Sequence, residues 1–177
     1  MKKIVLVGYM ASGKTEIGKL LSKKVNLPFL DIDYLIEESL SKTVNEIFEE
    51  KGEVFFRKKE HEVFKNKINS KQSFILSLGG GTPCYAENHL FLQKDDVISI
   101  YLKGSVATLV DRLKMNKDKR PLLKNLANDE LAEFVAKHLF DRNFYYSHCK
   151  YTIIIDDKSP FDIVEEIIRY YSKYAQS

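Results

Sequence analysis

The 177-residue sequence has no tryptophan, two cysteines and no long run of apolar residues. Cys84 and Cys149 are too few for a disulfide framework and form no C-x-x-C pair, so a reducing cytoplasm is the expected compartment. The longest apolar runs are far too short to span a bilayer. Residues 1–8 are expected to begin the first strand, so no secretory signal is expected there. We therefore expect no membrane association and no secretion.

The sequence also has little excess of positive over negative charge. The chain has 28 basic and 25 acidic residues, a net charge of +3, and no run of five or six like charges. A nucleic-acid surface needs concentrated positive charge, so nucleic acid is not an expected partner. The four histidines share no ligand spacing and are expected to be structural or on the surface. The length predicts one domain, residues 1–177, that can bury a core.

Residues 8–15 carry a specific motif, G-x-x-x-x-G-K-T, known as a P-loop. The apolar, β-branched run Lys3–Val7 predicts a strand before the motif, and apolar residues at helical spacing predict a helix after it. Backbone N–H groups and the helix dipole of such a turn bind phosphate. Lys14 is expected to reach the β- and γ-phosphates, and the Thr15 hydroxyl to bind Mg²⁺. The motif predicts binding of a nucleoside triphosphate, but not what the triphosphate is used for.

Strands and helices alternate along the rest of the chain. Further strands are predicted at residues 29–33, 73–78, 97–102 and 151–155. Most are continuous apolar runs, which indicates an α/β fold with a parallel sheet covered by helices. A capping-box pattern at Thr43 and Glu46 opens a helix that Gly52 ends, and a second helix is predicted from about residue 53 to 68. Ligands are expected at the carboxyl ends of the strands.

Two of these strand ends carry further candidates. Asp31 and Asp33 would share a face if the second strand stays regular; one could hold Mg²⁺ through water and the other take a proton from the acceptor or hydrogen-bond it. The alternative is an acid pair at the N-terminus of the next helix. Gly79, Gly80 and Gly81 follow the third strand and let a backbone approach a ligand closely, unless they form a merely flexible turn.

Three arginines are candidates for binding an anion. Arg57 lies beside Glu60 on a predicted helix, where the alternative is an i,i+3 ion pair on a solvated face. Arg120 belongs to a basic loop, and either closes over the phosphates as an arginine finger or is a solvated charge. Arg142 is late in a long predicted helix, where the alternative is contact with the C-terminal dipole.

Other absences separate the classes of P-loop protein. No predicted strand ends in the usual Walker B acid next to a switch region. Residues 116–119 resemble the guanine-reading N-K-x-D, but Lys119 stands where the aspartate is needed. A GTPase is therefore not expected. A small P-loop kinase, with an acid pair after the second strand and an arginine-bearing lid, fits better.

In their order and spacing, these motifs resemble the shikimate kinase family over nearly the whole chain. The matching elements are the P-loop, residues 29–33, 46–60, 78–81 and 120–123, and Arg142 with Tyr145 and Tyr146. The resemblance implies transfer of the ATP γ-phosphate to the 3-hydroxyl of shikimate, a step toward chorismate and the aromatic amino acids. It implies a three-layer P-loop NTPase fold with five parallel strands in the order 2-3-1-4-5. It also implies substrate-binding helices at about 32–68, a mobile lid at about 114–126, and a monomer.

The resemblance also implies roles for individual residues. Asp33 is the candidate base, Lys14 and Arg120 act on the transferring phosphate, and Arg57 and Arg142 bind the shikimate carboxylate. The remaining substrate-binding residues implied are Glu60, which orients Arg57, the backbone of Gly79, Gly80 and Gly81, and the pocket walls Phe48 and Phe56. The implied metal ligands are Thr15 and, through water, Asp31. The implied ATP-binding residues are Ala11, Ser12, Gly13, Lys14, Thr15, Glu16, Arg112, Arg120 and Lys158.

Two departures from the family pattern fall in the P-loop. The family usually has glycine where Ala11 stands, and threonine is common where Glu16 stands. Glu16 puts an acid close to the α-phosphate and is expected to point to solvent.

Three alternative functions remain possible from the motifs alone, and each is distinguished by particular residues. A gluconate-type kinase would not need Arg57, Glu60 and the triple glycine in this arrangement. A nucleoside monophosphate kinase usually has more lid arginines than Arg120 alone. Intact Lys14 and Asp33, together with Arg120, argue against a non-catalytic nucleotide-binding module.

Overall fold

The structure is a computed structural model that describes residues 2–115 and 128–175. Within these ranges the chain forms five β-strands and six α-helices. In chain order they are β1 (Lys3–Val7), α1 (Lys14–Val25), β2 (Phe29–Asp31), α2 (Ile32–Leu40), α3 (Val44–Ile68), β3 (Phe74–Ser77), β4 (Val97–Lys103), α4 (Val106–Lys114), α5 (Asn128–Tyr146), β5 (Tyr151–Ile154) and α6 (Pro160–Ala175). Two short 3₁₀ helices, Thr82–Cys84 and Asn88–Gln93, lie between β3 and β4.

The five strands form one parallel sheet in the order β2-β3-β1-β4-β5. The central strand β1 lies between β3 and β4, with Lys3 opposite Phe74 on one side and Val97 on the other. The predicted fold class and strand order are confirmed. Because all strands are parallel, the loops that follow β1, β2 and β3 meet at one edge of the sheet.

Two apolar cores lie on opposite faces of this sheet. Successive side chains of a strand alternate between faces, and in β1 Val5 and Val7 point to one core while Ile4 and Leu6 point to the other. The first core also contains buried side chains from α2 and α3, namely Ile32, Ile36, Ile47, Phe56, Phe64 and Ile68. The second contains buried side chains from α1 and α6, namely Ile17, Leu21, Ile163, Val164 and Ile167. This is the expected helix–sheet–helix layering.

A third apolar cluster attaches α4 and α5 to the P-loop. Tyr9, in the loop after β1, packs with Leu109, Val110 and Leu113 of α4, and with two buried residues of α5, Leu131 and Val135. None of the described helices is both long and apolar enough to cross a membrane.

The second strand is shorter than predicted. It ends at Asp31, whose side-chain Oδ1 accepts a hydrogen bond from the Asp33 backbone N–H at 3.1 Å and so caps α2. The prediction that Asp31 and Asp33 lie two apart on one strand is therefore wrong. An aspartate that can accept from the N–H two residues on favours a helix N-cap over a continued strand.

The break predicted at Gly52 is present inside α3. The capping box that starts this helix forms as predicted, since the Glu46 N–H donates to Thr43 Oγ1 at 3.3 Å and the Thr43 N–H donates to Glu46 Oε2 at 2.7 Å. Gly52 has φ 78° and ψ 173°, a conformation that only glycine adopts without strain. The chain therefore turns at Gly52 and restarts as the helical segment that carries Arg57.

Candidate active site

The P-loop forms the floor of a cavity of about 520 Å³ at the carboxyl edge of the sheet. Gly13, with φ 90°, ends the loop, and Lys14 begins α1. Lys14 Nζ donates to the backbone oxygens of Gly8 and Tyr9 at 2.8 and 3.0 Å. Most of the predicted ATP-binding residues line this cavity, namely Ala11, Gly13, Lys14, Thr15, Glu16, Arg112 and Lys158. The arrangement places positive charge and a helix N-terminus around one space, which suits a polyphosphate.

Among the predicted ATP-binding residues that the structure describes, Ser12 is the one that does not line this cavity. It is fully buried, and its hydroxyl has no hydrogen-bond partner among the described residues. The two departures from the family pattern also differ from each other. Ala11 has φ 63°, a left-handed backbone in which a Cβ costs about 1–2 kcal/mol. Glu16 is exposed at the first turn of α1, as expected, although it lines the cavity.

Two oxygen donors suited to a metal stand beside the phosphate cradle. The Thr15 hydroxyl donates to Asp31 Oδ2 at 3.4 Å, and both residues line the cavity. Mg²⁺ prefers oxygen ligands, keeps several waters, and binds through one or two carboxylates plus substrate phosphates. No group of three or more His, Cys, Asp and Glu side chains that suits a metal occurs in residues 2–115 and 128–175. Thr15 and Asp31 therefore fit Mg²⁺ as partial ligands next to a bound nucleotide.

Asp33 opens to the same cavity from the first turn of α2. Solvent reaches the Asp33 side chain. Even so, partial loss of hydration, together with the negative charges of Asp31 and Glu60, raises the pKa of Asp33 to about 6. The positive charges of Lys14 and Arg57 act in the opposite direction. A carboxylate with a pKa near 6 is ionised at neutral pH and still basic enough to accept a proton. Asp33 is thus the titratable group best suited to act as a base at this edge of the sheet.

Arg57 of α3 and Arg142 of α5 both lie close to the triple-glycine turn. A methyl group on Gly81 would lie 2.7 Å from Arg57 Nη2, and one on Gly80 would lie 3.0 Å from Arg142 Nη1. A side chain at either position would meet a guanidinium group, so the glycines allow the turn to approach both arginines closely. Both arginines line a second cleft of about 480 Å³, together with Glu53, Gly81, Cys84, Tyr85, His138, Asp141 and Tyr145.

Arg57 is held by Glu60 in an ion pair that is largely buried. Arg57 Nη1 donates to Glu60 Oε2 at 2.7 Å, and the Glu60 side chain is 1% exposed. Burial works against the charge on Arg57, but Glu60, helped by Glu53 and Asp33, raises the pKa of Arg57 above its usual value. The alternative of an ion pair on a solvated face is therefore wrong. The hydrogen bond puts Glu60 in a position to orient the guanidinium, which is the role that the family resemblance implies.

A buried polar network supports this ion pair from behind. Thr82 Oγ1 donates to the second Glu60 oxygen at 2.6 Å, and Asn88 Nδ2 donates to the Thr82 carbonyl at 2.8 Å. His61 Nδ1 lies 2.7 Å from Asn88 Oδ1. Glu60, Thr82 and Asn88 are fully buried, so each hydrogen bond replaces water that the site excludes. The network fixes the 3₁₀ turns that follow the glycines.

Thr82 and Asn88 were not predicted from the sequence. Neither residue has a motif or a spacing that links it to Glu60, and the only available signal was their place just after the triple glycine.

Arg142 contacts aromatic side chains, and no ion pair joins it to an acid in the part of the chain that the structure describes. Its Cζ lies 5.4 Å from the centre of the Tyr9 ring. Tyr146, one turn further along α5, donates its hydroxyl to the Gly80 carbonyl at 2.7 Å. Burial raises the pKa of Tyr146 well above its usual value, so the hydroxyl stays protonated and remains a donor. Arg142 therefore faces the glycine turn, and its surroundings differ from those expected for a charge that only meets the helix dipole.

A family model for shikimate kinase matches residues 10–172 of this sequence. This chain belongs to the shikimate kinase family. The shikimate kinase of Flavobacterium johnsoniae is 51% identical over 168 residues, which cover 95% of this chain and 98% of that relative. The predicted family is confirmed, and with it the assignment of the chain as a kinase.

Two solved shikimate kinases have the same fold over almost their whole length. The enzyme from Bacteroides thetaiotaomicron superposes with a TM-score of 0.87 at 32% identity, covering 97% of this chain and 98% of that one. The enzyme from Acinetobacter baumannii, solved in complex with shikimate, gives 0.85 at 32% identity, covering 98% and 94%.

Four of the described residues that the family resemblance implies line neither cavity, namely Ser12, Glu60, Phe48 and Phe56. Phe48 and Phe56 stack with ring centres 4.6 Å apart and belong to the core beside α2 and α3, and Phe56 also lies under the Arg57 guanidinium at 5.4 Å. They line neither of the two cavities, and their contact with the acceptor stays a prediction. Arg120 lies outside the described residues, as does most of the predicted lid.

Proposed function

We propose that this protein transfers the γ-phosphoryl group of ATP to the 3-hydroxyl of shikimate, forming shikimate 3-phosphate and ADP. The observation that carries the proposal is the meeting of two arginines from different helices, Arg57 and Arg142, at the glycine turn beside Asp33 and the P-loop. Membership of the shikimate kinase family and the likeness to an enzyme solved with shikimate support it. A gluconate-type kinase would have no need of this arrangement.

In the proposed reaction the acceptor lies across the junction of the two cavities. Arg57 and Arg142 bind its carboxylate, because the planar guanidinium fork matches a carboxylate and two forks hold it in one orientation. The backbone of Gly79, Gly80 and Gly81 approaches the ring hydroxyls. Such binding turns the 3-hydroxyl toward the P-loop cavity and brings the reacting groups into contact distance.

The acceptor loses its proton to Asp33 as the new bond forms. The acceptor oxygen forms a bond to the γ-phosphorus, the bond between that phosphorus and the β,γ-bridging oxygen breaks, and ADP leaves with the bonding electrons. Asp33 takes the hydroxyl proton and ends neutral, a change that its pKa of about 6 favours. Lys14 compensates negative charge on the transferring group. Arg120 is expected to do the same, from a position outside the described residues.

Thr15 and Asp31 are the residues that would hold Mg²⁺, Thr15 directly and Asp31 through water. The ion, when bound with ATP, neutralises negative charge on the β- and γ-phosphates. The remaining ATP contacts are proposed for Arg112 and Lys158, which line the far side of the cavity. Lys158 also pairs with Glu166 at 2.6 Å, which fixes its side chain near the start of α6.

A monomeric state and a cytoplasmic location remain part of the proposal. The family resemblance suggests a monomer. A reaction that consumes ATP suits the cytoplasm, where ATP is made.

The position of the transferred phosphate tests the proposal. We expect a phosphorus–proton correlation NMR spectrum of the product to connect the new phosphate with the proton on carbon 3 of shikimate. The methyl ester of shikimate should be a poor substrate, because the ester has no carboxylate for Arg57 and Arg142. A phosphate on another hydroxyl, or equal use of acid and ester, would contradict the proposed binding mode.

A further inference from the structure

Tyr9 occupies a position that the P-loop motif leaves unspecified, yet its side chain points away from the phosphate cradle. The side chain is 1% exposed and packs in the cluster with α4 and α5. Its hydroxyl lies 3.0 Å from His138 Nδ1, and its ring lies under the Arg142 guanidinium at 5.4 Å. His138 and Arg142 are four residues apart and so share one face of α5. One side chain of the nucleotide loop thus contacts two successive turns of the acceptor-side helix.

The backbone of the same residue contacts the nucleotide side. The Tyr9 carbonyl accepts a hydrogen bond from Lys14 Nζ at 3.0 Å and another from the Ser12 N–H at 3.2 Å. These bonds fix the direction in which the Tyr9 side chain leaves the loop. Tyr9 therefore has little freedom at its backbone, and its ring is a rigid surface for α5.

We propose that Tyr9 is a positioning residue for the acceptor, which holds Arg142 against the glycine turn through the face of its ring. The inference rests on the proposed function, because Arg142 matters here as a ligand of the acceptor carboxylate. The negative face of an aromatic ring attracts a guanidinium, and this attraction is larger where water is excluded. Arg142 also approaches Gly80 and forms a hydrogen bond with the Tyr146 hydroxyl.

His138 fixes the other end of the tyrosine. Burial and the nearby Arg142 lower the pKa of His138, so its ring is neutral near pH 7 and adds no second positive charge beside Arg142. The T-shaped contact of the two rings, with centres 6.1 Å apart, and the hydrogen bond set the plane of the Tyr9 ring. Glu133 and Lys137 on α5 are exposed, and Asp141 is exposed at the rim of the cleft, so none of them lies between Tyr9 and Arg142.

The test is steady-state kinetics with shikimate and ATP varied separately. We expect Tyr9→Leu, which removes the ring, to raise the KM for shikimate about tenfold while the KM for ATP changes less than about twofold. Tyr9→Phe keeps the ring face and should stay within about threefold of the wild type for both substrates. Leu113→Val shortens a buried side chain of the same cluster on α4, and is the control for loosened packing.

A second pair of variants separates the ring's charge distribution from its shape. Pentafluorophenylalanine at position 9 keeps the size of phenylalanine but reverses the charge of the ring face. We expect its KM for shikimate to exceed that of Tyr9→Phe. This comparison decides the question even if Tyr9→Leu fails to fold.

Several outcomes would overturn the inference. They are an equal KM for shikimate with the fluorinated and the ordinary ring, a Tyr9→Leu variant that keeps the wild-type KM for shikimate, or one whose KM for ATP rises as much as that for shikimate. If the wild-type protein releases no ADP with shikimate, the proposed function itself fails. If the wild-type protein releases ADP with shikimate and the Tyr9 variants have the same KM values, only the role of Tyr9 fails.

Discussion

Asp33 takes the proton in the proposed reaction, and replacing it by asparagine removes that chemistry with little change of shape. We expect Asp33→Asn to lower kcat by about 10²–10⁴, the usual contribution of a general base. The KM for ATP should change less than about threefold, because Asp33 faces the acceptor. Glu38→Gln, at an exposed position on the same helix, is the control. Near-normal turnover of Asp33→Asn would show that another group accepts the proton.

The raised pKa of Asp33 also predicts how stability depends on pH without substrates. In the unfolded chain the carboxyl titrates near 3.8, whereas in the folded protein it titrates at about 6. Between these values the folded state binds more protons, so the wild type loses stability as pH rises. Asparagine does not titrate, so Asp33→Asn should gain thermal stability relative to the wild type as pH rises from about 4 to 6, and keep that gain at higher pH.

Thermal unfolding of both proteins between pH 4 and 8 checks this expectation. A difference that grows as pH falls would mean that the folded protein stabilises the ionised carboxylate.

Arg57 is proposed to bind the acceptor carboxylate and also pairs with the buried Glu60, and one substitution tests both roles. Arg57→Ala should raise the KM for shikimate about 10- to 100-fold, the effect of losing hydrogen bonds to a charged group, and leave the KM for ATP unchanged. It should also lower the free energy of unfolding by about 1–3 kcal/mol, because Glu60 Oε2 stays buried without its donor. Lys58→Ala removes an exposed positive charge from the next position and should do neither. Equal damage to the use of both substrates would contradict the carboxylate role.

At the scale of the element, α3 depends on one backbone conformation. A Cβ at Gly52 would meet no atom within 4 Å, so the cost of Gly52→Ala is backbone strain alone. We expect a loss of about 1–3 kcal/mol in the free energy of unfolding, measured by urea denaturation. Lys51→Ala, at the exposed neighbouring position, should have almost no effect. If Gly52→Ala were as stable as the wild type, α3 could run straight through this position, and the turn before Arg57 would not be required.

The elements show where local sequence decides structure and where it does not. The capping box at Thr43 and the break at Gly52 were predicted correctly, because capping side chains and glycine act on their own backbone. The end of β2 was predicted wrongly, because Asp31 can extend a strand or cap a helix, and packing of Ile32 and Ile36 in the core decides for the helix. The hydrophobic pattern of the sequence does not show whether the strand continues or the helix begins at this point.

The site divides in a similar way. Lys14 was predicted from the P-loop motif, whereas Asp33, Arg57 and the glycines were candidates whose roles the family resemblance supplied. Glu60 was predicted beside Arg57, but other residues that hold these groups in place were missed. Tyr9, Thr82 and Asn88 act through contacts with residues 22 to 133 positions away, or through a backbone carbonyl, and no short pattern in the sequence records such contacts.

At the scale of the whole molecule, the sheet brings the separate motifs to one edge. Parallel strands were predicted from their continuous apolar runs, but the order β2-β3-β1-β4-β5 was supplied by the family resemblance, because a buried apolar strand does not specify its neighbours. That order puts the P-loop next to the glycine turn, since β1 and β3 are adjacent. It places β2, which ends at Asp31 and leads into Asp33 of α2, on the other side of β3 from the P-loop strand.

The most direct test of this account is ADP release from ATP and Mg²⁺ by the wild-type protein with shikimate, gluconate, AMP or no acceptor. We predict release that depends on shikimate, with the other three at background. Release with gluconate or AMP instead would keep the fold and contradict the roles given to Arg57, Arg142 and the glycine turn. Binding of ATP without release in any of the four reactions would contradict the proposed activity, and Ala11 and Glu16 would be the first positions to restore to the family's glycine and threonine.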